Sequence, residues 1–170
     1  MKLFCDGYRD KNFGLVVFGV SEKGLRYVSF GKHAKWDDVF KYALKYGFEP
    51  IKNPGKTSSI KKQLQDYFRG RLRRFRIKFD FDHLTPFTRK VLMAAFKVSY
   101  GSTSTYGKLA RAAGSPLASR AAGQVMANNP VAPVIPCHRI VGSQGKLTGY
   151  AGGLNTKVAL LQMEGARPSI

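Results

Sequence analysis

Between Thr105 and Ala127 the chain spells out a helix, a glycine turn and a second helix. Thr105–Ala113 carries Leu109 and Ala113 one turn apart, the spacing of a short helix with one apolar face. Gly114-Ser115-Pro116 then supplies a helix-ending glycine, an N-cap hydroxyl and a proline suited to a first helical turn. A second helix is expected over 116–127, and the pair is a helix-turn-helix signature. That second helix is thin: Ala118, Ala121, Ala122, Gly123 and Ala127 are small, and Arg120 is its only charge. One reading packs it tightly into a core with Arg120 in solvent. The other lays it in a DNA groove, with Arg120 as a single long cation and Ala121, Gly123 and Gln124 beside it.

Charge favours the second reading. The 170 residues hold 29 Lys and Arg against 10 acids, a net charge of +19. From His83 to Ile170 there are ten Lys and Arg and one acid, Glu164. Such an imbalance points to a polyanion, nucleic acid before an anionic membrane. A membrane binder needs a basic amphipathic helix with large apolar anchors, and none stands out. No apolar run reaches membrane-spanning length, and Met1–Gly7 lacks a signal-peptide core, so a cytoplasmic protein is expected. Two cysteines make no disulfide framework, and free thiols suit a reducing compartment.

The first half reads as a separate α/β unit. Phe13–Val20 and Leu25–Phe30, joined by Ser21-Glu22-Lys23-Gly24, form a β-hairpin. Trp36–Tyr46 has helical spacing. After Asn53-Pro54-Gly55 a second helix is expected, capped by Thr57 or Ser58, with Ile60, Leu64, Tyr67 and Phe68 on its apolar face. The basic run Arg69–Lys78 ends in an alternating stretch, Phe75–Phe79, that reads as a strand. The boundaries are then 1–78 for this unit, 79–84 for a linker and 85–170 for a mostly helical second domain. That domain opens on a helix capped by Thr85 with Pro86 at its first position, and ends on a helix over 154–163.

Asn128-Asn129-Pro130 turns the chain out of the thin helix and into Pro136-Cys137-His138-Arg139-Ile140. A thiolate is the nucleophilic form of cysteine, and a neighbouring cation lowers its pKa. Glu164 is the one carboxylate of this half able to orient His138, as a third group on a base requires, with Asp80 and Asp82 as fallbacks. The glycine-rich loop 142–153, with Tyr150 as its aromatic, can wall a pocket.

Taken together, these segments resemble the O6-alkylguanine-DNA alkyltransferase family. The resemblance is carried by Ser104-Thr105-Tyr106, Leu109-Ala110, Arg120-Ala121-Ala122-Gly123, Asn129-Pro130, Ile135-Pro136-Cys137-His138-Arg139-Ile140-Val141, Tyr150-Ala151-Gly152-Gly153 and Glu164-Gly165. It implies an α+β fold, with a ribonuclease-H-like first domain and a winged-helix-like second one. It implies double-stranded DNA containing O6-alkylguanine as partner, bound in the minor groove by a monomer. The alkyl group passes irreversibly to Cys137, from guanine O6 and also thymine O4, and no cofactor or metal takes part.

In that family's terms, His138 takes the thiol proton through a water and Glu164 holds His138. Tyr106 donates to the guanine ring, Asn129 braces the active-site turn, and Arg120 fills the space of the flipped nucleotide. The carbonyls of Cys137 and Ile140 accept from the guanine amino group, and Ile140, Tyr150 and Ala151 line the base pocket. Two departures stand out. Ala151 replaces a serine common in the family, and Cys5, His33 and His83 make no zinc ligand set, so no structural zinc is expected. The competing readings are a helix-turn-helix protein that binds damaged DNA without chemistry, and a thiol hydrolase.

Overall fold

A computed structural model describes residues 1–166. They divide into two compact units: 1–81 with 130–132, and 82–129 with 133–166.

The first unit is built on a four-stranded sheet of order β3-β2-β1-β4. The hairpin is present as β2, Gly14–Val20, and β3, Leu25–Gly31, antiparallel to each other. Two strands that the sequence reading missed complete the sheet. β1, Lys2–Asp10, runs antiparallel to β2, and β4, Glu49–Ile51, runs parallel to β1. α1, Trp36–Lys45, covers one face, where Val39 and Ala43 pack with Leu3, Cys5, Leu15 and Val17. α2, Pro54–Phe68, serves the other: its Thr57 hydroxyl donates to Asp6 at 2.9 Å and its Lys61 reaches the same carboxylate at 3.1 Å. Successive strand residues face opposite sides, so Leu3 and Cys5 go to α1 while Asp6 goes to α2.

Three expectations for this unit need correction. The cap of α2 is Asn53, whose side chain accepts from the Lys56 amide at 3.2 Å, so the helix starts three residues before Thr57. Phe75–Phe79 forms no strand, because only Phe79 finds a partner, in a single bridge to Leu25. Residues 79–81 are no linker either. Phe81 is buried, Phe79 stacks on it, and Asp80 is a buried partner of Arg26 at 2.9 Å.

The second unit holds α3, Pro86–Phe96, α4, Tyr106–Ala112, α5, Ser119–Ala127, and α6, Leu154–Met163. Thr85 and Thr105 cap α3 and α4 through their hydroxyls, at 3.2 and 3.3 Å. Gly114, at φ +80°, makes the left-handed turn that lets the Ser115 amide return to the Ala110 carbonyl at 2.9 Å. α5 begins at Ser119, not Pro116, so Ser115–Ala118 is a turn and Leu117 stands wholly exposed. A short parallel pair joins β5, Ser104–Thr105, to β6, Ile140–Val141. No helix among the described residues is long and apolar enough to cross a membrane.

Candidate active site and DNA-binding helices

The cysteine turn is held by short local bonds. Pro136 opens a single 3₁₀ turn, Cys137–Arg139, and β6 follows at once. The Cys137 amide donates to the Ile135 carbonyl at 2.9 Å, and the Arg139 amide to Pro136 at 2.9 Å. Asn129, two residues past α5, donates from its side-chain amide to the same Ile135 carbonyl at 2.8 Å. The end of the second helix of the helix-turn-helix is therefore tied to the residue just before Pro136 and Cys137.

Behind the turn sits a fully buried charge cluster. His138 Nε2 is 2.8 Å from Glu164 Oε1, at the C-terminal end of α6. Glu164 also accepts from Arg139 at both carboxylate oxygens, each at 2.8 Å, and from the Gly101 amide at 3.3 Å. Arg139 spends a further N–H on the Val98 carbonyl at 2.6 Å. A carboxylate acceptor at Nε2 selects the tautomer with its proton there, which leaves Nδ1 as an acceptor. Burial lowers the His138 pKa, with Glu164 pulling the other way, so the ring is neutral near pH 7 and able to take a proton.

The thiol is less ready than the sequence reading held. Burial raises the pKa of Cys137 above the ordinary thiol value. Three neighbours oppose that rise: the Asn129 side chain, the Lys157 charge and the Tyr150 hydroxyl. At rest the site holds a thiol with the means to stabilise a thiolate in place, not a free thiolate.

Lys157 was not foreseen. It is fully buried, and its ammonium donates to the Ile140 carbonyl at 2.6 Å and the Thr148 carbonyl at 3.1 Å. Burial lowers its pKa while the nearby Cys137 raises it. The Ile140 carbonyl, assigned above to a guanine amino group, thus already accepts from Lys157. Arg139, which the sequence reading leaves without an assigned role, shares Glu164 with His138.

A cavity of about 460 Å³ opens beside Cys137, within the size range of small-molecule sites, about 300–1,000 Å³. Tyr106, Thr148, Tyr150 and Ala151 border it, and so do Gly123 and Ala127 of α5. The Thr148 hydroxyl donates to the Tyr106 phenol oxygen at 3.1 Å. An alanine Cβ at position 123 would lie 3.8 Å from the Tyr106 ring, an ordinary contact, so glycine there adds room without being sterically required. Arg120, Ala121 and Gln124 are exposed on α5, and Gly123 is half-buried at the pocket. Among the described residues, no three His, Cys, Asp or Glu side chains are grouped to hold a metal.

Fold and site define a helix-turn-helix protein with a thiol, a neutral imidazole and a base-sized cavity in one unit. Residues 86–166 match the family described as "6-O-methylguanine DNA methyltransferase, DNA binding domain". A methylated-DNA–protein-cysteine methyltransferase of Methanosarcina acetivorans is 39% identical over 153 residues, covering 90% of this chain and 93% of the relative. One from Mycobacterium tuberculosis is 41% identical over 129 residues, covering 73% and 78%. Among solved structures, Mycobacterium tuberculosis OGT in complex with DNA superposes with TM-score 0.79 at 31% identity, over 95% of this chain and 92% of that one. The O6-methylguanine-DNA methyltransferase of Pyrococcus kodakaraensis superposes with TM-score 0.63 at 26% identity, over 96% and 99%. The chain belongs to the methylated-DNA–protein-cysteine methyltransferase family. It is a DNA-binding repair enzyme that moves methyl groups from DNA to a protein cysteine.

Proposed function

We propose that Cys137 is the acceptor, and that it takes the alkyl group from O6 of guanine, or O4 of thymine, in one irreversible displacement. The observation that carries this reading is the cavity bordered on one side by Cys137 and on another by Gly123 and Ala127 of the helix that bears Arg120. A nucleotide displaced from the duplex by Arg120 has a short path to the sulfur. Flipping is required because the alkyl carbon is out of reach inside a base stack.

The thiol proton passes through a water to Nδ1 of His138, and Glu164 stabilises the imidazolium that forms. Lys157 and Tyr150 stabilise the thiolate. The S–C bond forms as the C–O bond breaks, and guanine leaves with the electron pair. Tyr106, oriented by Thr148, donates a proton to the guanine ring. Asn129 braces the turn, and Ile140, Tyr150 and Ala151 line the base pocket. Ala151 offers no side-chain hydroxyl near O6, so only its backbone N–H serves there. The product thioether ends the reaction, since nothing in the site regenerates a thiol.

Arg120, Ala121, Gly123 and Gln124 meet the minor groove, where a thin helix fits. The reading is of a cytoplasmic monomer. A hairpin sheet with a parallel fourth strand supports the ribonuclease-H-like description of the first unit, and the capped helix pair with β5–β6 supports the winged-helix-like one. The test is intact mass spectrometry after incubation with duplex DNA containing O6-methylguanine. One methyl group on Cys137 is expected. No mass gain, or a gain on Cys5, refutes the proposal.

A further inference from the structure

The basic run after α2 plays no part in the site above. Arg69 to Phe79 contains six cations (Arg69, Arg71, Arg73, Arg74, Arg76 and Lys78) and no acid. All six are exposed, while Phe75 between them is buried. The backbone is pinned at several points. The Arg71 and Leu72 amides both donate to the Asp66 carbonyl, at 2.8 and 3.1 Å. The Gln63 side chain clamps Arg76, accepting from its amide at 2.7 Å and donating to its carbonyl at 3.2 Å. The Lys78 carbonyl accepts from Leu25 at 2.9 Å.

The fold thus uses the main chain and the phenylalanine of this segment, and leaves four of the six charges unspent. The side chains of Arg71, Arg74, Arg76 and Lys78 make no hydrogen bond or ion pair among the described residues. Arg76 and Lys78 also line a groove of about 300 Å³ with Lys23, Lys56, Ser59 and Gln63. Its one acid, Glu22, is already paired with Lys56 at 2.9 Å. Like charges held close on a fixed edge repel one another, a cost that a polyanion relieves.

We propose that this edge is a second phosphate-contacting surface, carried by the first unit, that takes the sugar-phosphate backbone of duplex DNA. A pinned segment with exposed guanidinium groups suits it, because arginine binds phosphate oxygens through a fixed fork of donors. The proposal rests on DNA as the partner and not on alkyl transfer.

The test measures affinity of the full chain for an unmodified duplex at increasing salt. Each phosphate contact contributes about 0.9 to the slope of log affinity against log salt. Replacing Arg71, Arg74, Arg76 and Lys78 together by Gln is expected to lower that slope by about 2–4. A charge-matched control, with Lys11, Lys32, Lys41 and Lys45 replaced by Gln, is expected to lower it by less than half as much. An unchanged slope in the first variant, or an equal drop in both, overturns the proposal. So does a loss of binding to anionic phospholipid vesicles with no change on DNA. Methyl transfer to Cys137 in saturating methylated duplex is expected to survive the first variant. If the unaltered chain transfers no methyl group, the proposed function fails while the salt slopes still decide this surface.

Discussion

The two cysteines are both buried and differ in the groups that surround them. Cys5 sits in β1 beneath α1, among Leu15, Val17 and Val39. Its thiol donates to the Leu3 carbonyl at 3.4 Å, and burial pushes its pKa up to about 11. Cys137 is also buried and also raised, yet an amide, an ammonium and a phenol stand ready to meet a negative sulfur. The buried ion pairs repeat the contrast. Arg26–Asp80, with Ser21 donating to the carboxylate, is a buried pair of the first unit. Arg139–Glu164 adds a histidine beside a thiol. Burial by itself makes a group inert. Chemistry appears where the groups that would receive the new charge are built in beforehand.

Exchanging the two sulfurs gives the largest effect. Cys137→Ser is expected to abolish methyl transfer while DNA affinity stays within a few-fold, and Cys5→Ala is expected to transfer at the parent rate. Transfer surviving in Cys137→Ser would erase the distinction between the two regions. The carboxylates come next. Asp80→Asn and Glu164→Gln each strand a buried guanidinium, which costs about 3–5 kcal/mol, so both should melt well below the parent. Only Glu164→Gln is expected also to slow transfer, measured by single-turnover kinetics at a temperature where both variants are folded. Equal rates in the two would leave Glu164 a purely structural residue.

What the sequence made legible follows the range of the interactions. The glycine turn, the threonine caps and the Cys137 turn depend on residues close in the chain, and they could be read directly. β1 could not, because Leu3, Phe4 and Cys5 are buried in a row beneath helices on both faces, so no alternation marks them. Phe75–Phe79 has a strand's alternation and lacks a neighbour to pair with. A lysine in the helix 154–163 reads as a solvent residue. Only the long-range placement of α6 against the Cys137 turn carries Lys157 inward to the Ile140 carbonyl. Arg139 was passed over for a related reason: its partners, Val98 and Glu164, lie far along the chain.

Lys157 also contributes to the pH dependence that separates the two thiols. With the Cys137 pKa above its ordinary value, transfer is expected to quicken as pH rises through neutrality toward that pKa. The ammonium is one of the causes holding the pKa down, so Lys157→Met raises it further and the rate profile moves to higher pH. Cys5, whose pKa is raised by burial with no charged group among the causes, provides the internal reference. Its slow labelling by iodoacetamide is expected to keep the same pH profile in both proteins. A profile for Cys137 that stays put, or moves down, would mean that Lys157 does not act on the sulfur.

The smallest effect is expected at Thr148, where the pocket touches Tyr106 by one neutral hydrogen bond at 3.1 Å. Such a bond is worth about 0.5–1.5 kcal/mol, so Thr148→Val should slow transfer by roughly 2- to 10-fold. Thr148 is exposed and its carbonyl still accepts from Lys157, so stability and the thiol's pH profile are expected to hold. The variant therefore isolates the leaving-group side of the reaction from the sulfur side. A guanine that already carries an electron-withdrawing substituent leaves more easily and needs Tyr106 less. On such a duplex the deficit of Thr148→Val should shrink toward the parent rate. A deficit of the same size on both duplexes would place Thr148 in the wall of the pocket alone, with no part in aiming the phenol.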